Sequence, residues 1–282
     1  MSGKNVKEAG PVDSNHIARC LDAGDDFSFE MQVLNLLKST DYRKVDLRVE
    51  HGGTYIDPVS KLARQFDIRA RFARETPDNK WFWKLRVALE CKMLHPSAPM
   101  VVSRSKRGAG ESHHYYISAA ADGLTSMNSK VTKAYSNTSF YIPDQFVGRS
   151  VTQVKAGNEK ALGDGDIYIK WAQALASADD LVWEGLTDVA GKDSIVVSAT
   201  LPILVVPNDS LWVVDYDSDG RRSSPTLAES CEFYVGKPAS LRPGIGKFVI
   251  THLHIYTVEG LRKFLTNSVN ETYFWLDHFP SK

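Results

Sequence analysis

Two carboxylates and a lysine carry the strongest chemical pattern in this chain. Asp67 sits in Arg64-Gln65-Phe66-Asp67-Ile68-Arg69-Ala70, and Glu90 and Lys92 sit in Leu89-Glu90-Cys91-Lys92-Met93. Phosphodiester hydrolysis needs a nucleophilic water, a Lewis acid for the developing charge and help for the leaving oxygen. A Mg²⁺ (or Mn²⁺) ion held by one or two carboxylates serves the first two needs and keeps waters of its own. Asp67 and Glu90 are the candidate ligands, with the Cys91 carbonyl as a third. Lys92 is a compact point charge that would orient the water or stabilise charge in the transition state. The plain alternative is a pair of solvated strand faces carrying a cross-strand ion pair.

The elements that must position these groups follow from periodicity. From Arg64 to Arg74 the alternation is clear, with Phe66, Ile68, Ala70 and Phe72 on one side and Asp67, Arg69 and Arg71 on the other. A second strand is expected from Trp83 to Met93. Period-two alternation turns Arg86, Ala88, Glu90 and Lys92 to one face. A weaker copy of the triplet, Asp78-Asn79-Lys80, falls in the turn Thr76-Pro77-Asp78-Asn79 and lacks such alternation. Upstream, Asp25 or Asp26 can cap a helix from Phe27, whose apolar stripe is Phe27, Val33, Leu34 and Leu37. Glu30 falls on that stripe. It either reaches solvent from the stripe's edge or completes the metal shell, since an ionised carboxylate facing a core is expensive unless paired.

Further along, His95-Pro96 and Ala98-Pro99 end the Glu90 strand. A basic loop spans Ser103 to Glu111 and contains Arg104, Lys106 and Arg107. A helix is expected from Asp166 to Glu184, and strands over Ser194 to Val206, Ser210 to Tyr216 and Lys247 to Tyr256. A last helix runs from Val258 to Val269. This order, with its antiparallel-looking strands, indicates an α/β or α+β fold. Residues 1–25 read as a lead-in with a short helix near Asn15 to Leu21, and 26–282 as a single domain with C-terminal elaborations.

Bulk properties narrow the function classes. The 282 residues are 43% hydrophobic, with 34 basic and 34 acidic side chains. Zero net charge argues against a protein that coats nucleic acid nonspecifically, yet permits a cleft of positive potential. No run of about 18 apolar residues is available to span a membrane. The polar first 25 residues offer no apolar core of a secretion signal. Cys20, Cys91 and Cys231 are odd in number and lack a Cys-x-x-Cys pair, so a reduced, cytoplasmic setting is expected.

Other candidates favour bland readings. Asp215-Tyr216-Asp217-Ser218-Asp219-Gly220 opens like a calcium loop, but its twelfth position is Thr226, so a turn between strands is expected. His252 and His254 share a strand face without an evident third ligand. His113-His114-Tyr115-Tyr116 is either a strand start or a base-stacking surface beside the basic loop. Gly244-Ile245-Gly246-Lys247 lacks the rest of a phosphate loop, and no Gly-x-Ser-x-Gly elbow exists.

The order of helix acid, strand Asp and strand Glu-x-Lys resembles the PD-(D/E)XK, or restriction-endonuclease-like, nuclease superfamily. The likeness lies with bacterial proteins carrying Tyr-x-Asp-Pro, Arg-Glu-Ile-Asp-Ile and Glu-Cys-Lys. Their counterparts here are Tyr55-Ile56-Asp57-Pro58, Arg64-Gln65-Phe66-Asp67-Ile68 and Glu90-Cys91-Lys92, within Phe27 to Pro99. Gln65 departs by standing where the likeness has Glu. The resemblance implies a mixed central sheet flanked by helices, with extra C-terminal strands and a helix. It also implies that Asp67 and Glu90 bind Mg²⁺, that Lys92 is catalytic and that Glu30 is the helix acid. The expected activity is DNA hydrolysis in restriction, phage defence or DNA processing. Arg69, Arg71, Arg104, Lys106 and Arg107 would contact DNA, with RNA the alternative substrate. The competing reading is a catalytically inactive nuclease-fold protein that binds nucleic acid or serves as a subunit, as a homo-oligomer or with a partner.

Overall fold

The computed structural model describes residues 12–23, 26–76, 81–122, 126–135, 140–162, 165–187, 195–239 and 246–279. Asp25, the Asp78-Asn79-Lys80 triplet with its turn, and Gly244-Ile245 lie outside them. Two helices come first, α1 (Ser14–Ala23) and α2 (Asp26–Ser39). Strands β1 (Asp46–His51), β2 (Thr54–Ile56), β3 (Ala63–Gln65), β4 (Ile68–Glu75) and β5 (Trp81–Cys91) follow. Next come β6 (Met100–Lys106), β7 (His113–Asp122), β8 (Ser126–Tyr135), β9 (Phe146–Lys155) and β10 (Asn158–Leu162). Helix α3 (Gly165–Leu186) leads to β11 (Ile195–Val206), β12 (Leu211–Asp215), β13 (Thr226–Leu227), β14 (Ser230–Pro238) and β15 (Val249–Thr257). Helices α4 (Val258–Phe264) and α5 (Thr272–His278) close the chain.

Among the described residues, thirteen strands form one mixed sheet, and β2–β3 is a separate hairpin. The path β1-β4-β5-β11-β15-β14-β9-β6-β12-β13 begins antiparallel, but β5, β11 and β15 run parallel. The antiparallel expectation therefore fails at the centre. The physical reason is burial on both faces: all but the first residue of β11 are buried, which produces a continuous apolar run rather than alternation. One face packs on α2, α4 and α5 through Leu85, Val87, Leu89 and Cys91. The other packs on α3 through Ala88, Leu204 and Val206. No helix of the described residues is long and apolar enough to cross a membrane.

Helix α2 buries Phe29, Val33, Leu34, Leu36 and Leu37, each contributing about 1.5–3 kcal/mol by removal from water. Phe27, expected on that stripe, is 63% exposed, because the buried face is rotated to the i, i+4, i+7 set starting at Phe29. The strand expected from Arg64 to Arg74 is interrupted at Phe66-Asp67. There the Phe66 amide donates to the Gly53 carbonyl and the Gly52 amide donates to the Asp67 carbonyl, at 3.0 Å each. This small ladder turns the chain from the β2–β3 hairpin into β4. Gly53 is required, since a Cβ there would lie 2.5 Å from the Phe66 ring. The first part of the basic stretch expected as a loop, Ser103 to Lys106, belongs to strand β6, which lies between β9 and β12, so Arg104 and Lys106 sit on an interior strand of the sheet. The final expected helix is α4 continued by one π-helical turn, Leu265–Val269.

Candidate active site

Backbone register brings the two acids together. Ile68 stands opposite Leu89 in the antiparallel β4–β5 pair, which places Asp67 beside Glu90 on the face toward α3. The Asp67 amide donates to Glu90 Oε1 at 3.4 Å, and the Cys91 amide donates to Asp67 Oδ2 at 2.8 Å. Both acids are buried, Glu90 completely. Burial of an ionised carboxylate demands a partner. That partner comes from α3: Lys170 Nζ donates to Asp67 Oδ1 and Oδ2 at 2.9 and 2.7 Å, and lies 3.4 Å from Glu90 Oε2.

Glu30 of α2 belongs to the same electrostatic cluster. Its Oε2 lies 3.5 Å from His51 Nε2 at the end of β1. Burial raises its carboxyl above the usual range, and the neighbouring Asp67 charge adds to the rise. Glu90 is raised well above its ordinary value for the same two reasons in the same order. Burial opposes the Lys170 charge, yet Asp67, Glu90 and Glu30 together hold its ammonium above the normal lysine range. Three carboxylates thus face one lysine, and fully ionised they leave negative charge in excess. A divalent cation would offset that excess, and Lys170 already marks the point where the two strand acids converge on a positive charge. Two carboxylates suffice for Mg²⁺, which keeps most of its waters. Among the described residues, no group of three or more His, Cys, Asp and Glu side chains is arranged as a metal cage.

No family model, curated protein or solved structure matches the chain. The reading of the site therefore rests on its geometry.

The residues singled out from the sequence fall into different places. Asp67, Glu90 and Glu30 come together. Lys92 does not join them: β5 ends at Cys91, and Lys92 Nζ lies 3.5 Å from Asp26 Oδ2 at the start of α2. Asp26 Oδ1 also accepts from the Met93 amide at 2.9 Å, so this contact fastens α2 to the end of β5. The Cys91 thiol is buried against the α2 side of the sheet, and burial raises its pKa first, followed by Asp67. The amide of Cys91, rather than its carbonyl, is what touches Asp67.

Four of the five proposed DNA-contacting side chains spend their charge internally. Arg69 is 4% exposed, pairs with Asp180 at 2.8 Å and stacks over Phe66. Arg71 is held between Glu50 and Glu184 at 2.6 and 2.7 Å. Arg104 grips Asp215 through two bonds of 2.7 and 3.0 Å. Arg107 is buried, pairs with Glu232 and donates to the Ile142 carbonyl. Lys106 is exposed, but β6 lies five strands along the sheet from β5. Alternation alone could not distinguish a solvent-facing arginine from one covered by α3 or β12.

Lys170 and His51 are the members that sequence reasoning missed. A signal for Lys170 existed. It stands three residues after Ile167 and four before Ala174, a lysine inside the apolar stripe of α3. The same argument that singled out Glu30 on α2 applies to it.

Proposed function

We propose that the Asp67–Glu90–Lys170 cluster is the active site of a metal-dependent nuclease acting on DNA phosphodiester bonds, on a restriction-endonuclease-like core. The observation that carries this reading is the convergence of two buried strand carboxylates on a single ammonium from a facing helix. Asp67 and Glu90 would hold Mg²⁺ or Mn²⁺, with Glu30 across from them. The ion, when bound, supplies Lewis acidity and a water of lowered pKa. Lys170, rather than Lys92, is the lysine placed to stabilise negative charge on a phosphate oxygen. The Cys91 amide orients Asp67 by donating to Oδ2, while Lys170 reaches both carboxylate oxygens.

The saturation of both carboxylates by Lys170 favours a second reading. Here the lysine is a permanent counter-ion and the chain is a non-catalytic nuclease-fold subunit. Supercoiled plasmid incubated with the full chain and Mg²⁺ or Mn²⁺ separates the two. Nicking or linearisation is expected, falling about 100-fold or more in Asp67→Asn and Lys170→Ala, an effect typical of removing a group that stabilises the transition state. Lys92→Ala should retain most activity. Absence of cleavage with both metals, or cleavage indifferent to Asp67→Asn, would overturn the nuclease reading.

A further inference from the structure

The carboxylate cluster lies beside an apolar surface that the fold leaves bare. The β2–β3 hairpin stands apart from the large sheet, and its base is bonded to the site. The Gly52 amide donates to the Asp67 carbonyl, and the Phe66 amide to the Gly53 carbonyl. One residue seats the hairpin on α3: Tyr55 is buried with Phe66 and Ala176, and its hydroxyl donates to the Gln173 carbonyl at 3.4 Å. The rest projects. Ile56 and Leu62 are exposed on its two arms, and Val59 at the tip is 75% exposed.

Two further apolar side chains extend this surface around the cluster. Exposed Ile169 precedes Lys170 and stands four and seven residues before Gln173 and Ala176, on the side of α3 that meets the hairpin. Phe27 of α2 is exposed with its ring 5.9 Å from that of His51, the histidine beside Glu30. Single exposed apolar residues are ordinary, but a set contributed by three elements around one polar site marks an interaction surface. The tip is also preorganised, which lowers the cost of binding. Asp57 Oδ1 accepts from the Val59 and Ser60 amides at 2.8 and 2.9 Å, and the Asp57 amide donates to the Leu62 carbonyl at 2.9 Å.

Duplex DNA presents phosphates and groove edges, its base faces hidden by stacking, whereas unpaired bases expose flat apolar faces. The β4 arginines that would grip a duplex backbone, Arg69 and Arg71, are already held by acids. Lys61 beside the tip is exposed and forms no ion pair among the described residues, which leaves a cation for the phosphate of a strand. We propose that this surface receives the unpaired bases of single-stranded DNA against Phe27, Ile56, Val59, Leu62 and Ile169, and presents the adjoining phosphate to the cluster. The choice of DNA as occupant rests on the nuclease reading. Apolar side chains pack on or between unstacked bases without reading their sequence.

Fluorescence anisotropy of the full chain without divalent cation tests the proposal. The probes are a labelled single strand, the matching duplex and an abasic strand of equal length. The single strand should bind tightest, and the other two weaker by about tenfold or more, as expected when base contacts are lost. Val59→Ser with Leu62→Ser is an exposed double change that should preserve the thermal melt. It should weaken the single strand by about tenfold and leave the abasic strand unaffected. A duplex or abasic strand bound as tightly as the single strand, or affinity indifferent to the double variant, would overturn the proposal. A concentration-dependent dimer abolished by the double variant, with strand binding unchanged, would overturn it in favour of a second copy of the chain. Plasmid cleavage without preference for the single strand removes this substrate alone. Single-strand binding without cleavage keeps the surface and removes the nuclease activity alone.

Discussion

Two groups of buried polar side chains are set into this sheet, and burial acts on them in opposite ways. The carboxylate cluster holds Asp67, Glu90, Glu30 and Lys170 where β4, β5, α2 and α3 meet. The second group lies where β7 and β15 part along one edge of β11. That edge pairs with β7 over Ile195–Ala199 and with β15 over Ile203–Val206. His114, Tyr141, His252 and His254 fill the region between them. Tyr141 stacks on His252 with ring centroids 3.6 Å apart, and its hydroxyl lies 2.8 Å from His254 Nε2. His114 packs edge-on against Tyr116 and Phe140. Neither ring nitrogen of His114 or His252 has a hydrogen-bond partner among the described residues. The acids are met by a lysine, whereas burial drives the imidazoles to their neutral form. The first arrangement stores electrostatic imbalance that chemistry can use; the second fills space with neutral rings.

The largest expected effect follows from that neutrality. Burial lowers His114 and His254 to about 3, with His254 adding to the effect on His114 and Arg107 to that on His254. His252 is lowered further, by burial and then Arg107. An unfolded histidine titrates near 6.5. Between about 6.5 and 3 the unfolded chain therefore binds more protons, and stability falls as pH drops through this window. Each such histidine contributes a slope of about 1.4 kcal/mol per pH unit once below its unfolded value. Glu30 and Glu90 act oppositely: their raised folded values mean that acid protonates them first in the folded chain, which partly offsets the loss. Urea melts from pH 7 to 4.5 should show a steep decline, and His252→Phe should lower the slope by about one histidine's share. A flat profile between pH 6.5 and 5 would show that the imidazoles are not buried as neutral rings.

Next in size is removal of the cluster's one lysine. Lys170→Met leaves Asp67 and Glu90 buried without their counter-ion, a change that costs about 3–5 kcal/mol when a buried pair is broken on one side. Chemical denaturation at pH 7 measures it. Millimolar Mg²⁺ or Mn²⁺ should return part of that loss in Lys170→Met, because a ligand that binds only the folded state stabilises it. If the metal raises the midpoint of neither the variant nor the parent chain, the carboxylates do not hold a divalent ion.

The contrast between the clusters also explains how much the sequence disclosed. Local patterns identified the β4 and β5 strands, α2 and α3, because alternation and helical spacing are properties of adjacent residues. They failed where partners come from afar. Lys170 is 103 residues from Asp67, and His254 meets Tyr141 over 113 residues. The parallel pairing of β5, β11 and β15 was hidden for a related reason. A strand buried on both faces has no alternation to reveal its neighbours. Lys92 lies one residue past the end of β5, and alternation could not show that its Nζ meets Asp26.

The smallest expected effect separates the two lysines. Lys92 bridges to Asp26 at 3.5 Å from a partly exposed position, an ion pair worth about 0–1 kcal/mol. Lys92→Met should therefore shift the denaturation midpoint little, in contrast to Lys170→Met. The double variant sharpens the distinction, because lysines that share no partner should be additive within about 0.5 kcal/mol. A coupling well above that would mean that Lys92 reaches the carboxylates once Lys170 is gone. Glu90-x-Lys92 would then function as a unit, with Lys170 only occupying its place. Additivity leaves Lys92 as the fastener between α2 and β5, and Lys170 as the counter-ion of the carboxylate cluster.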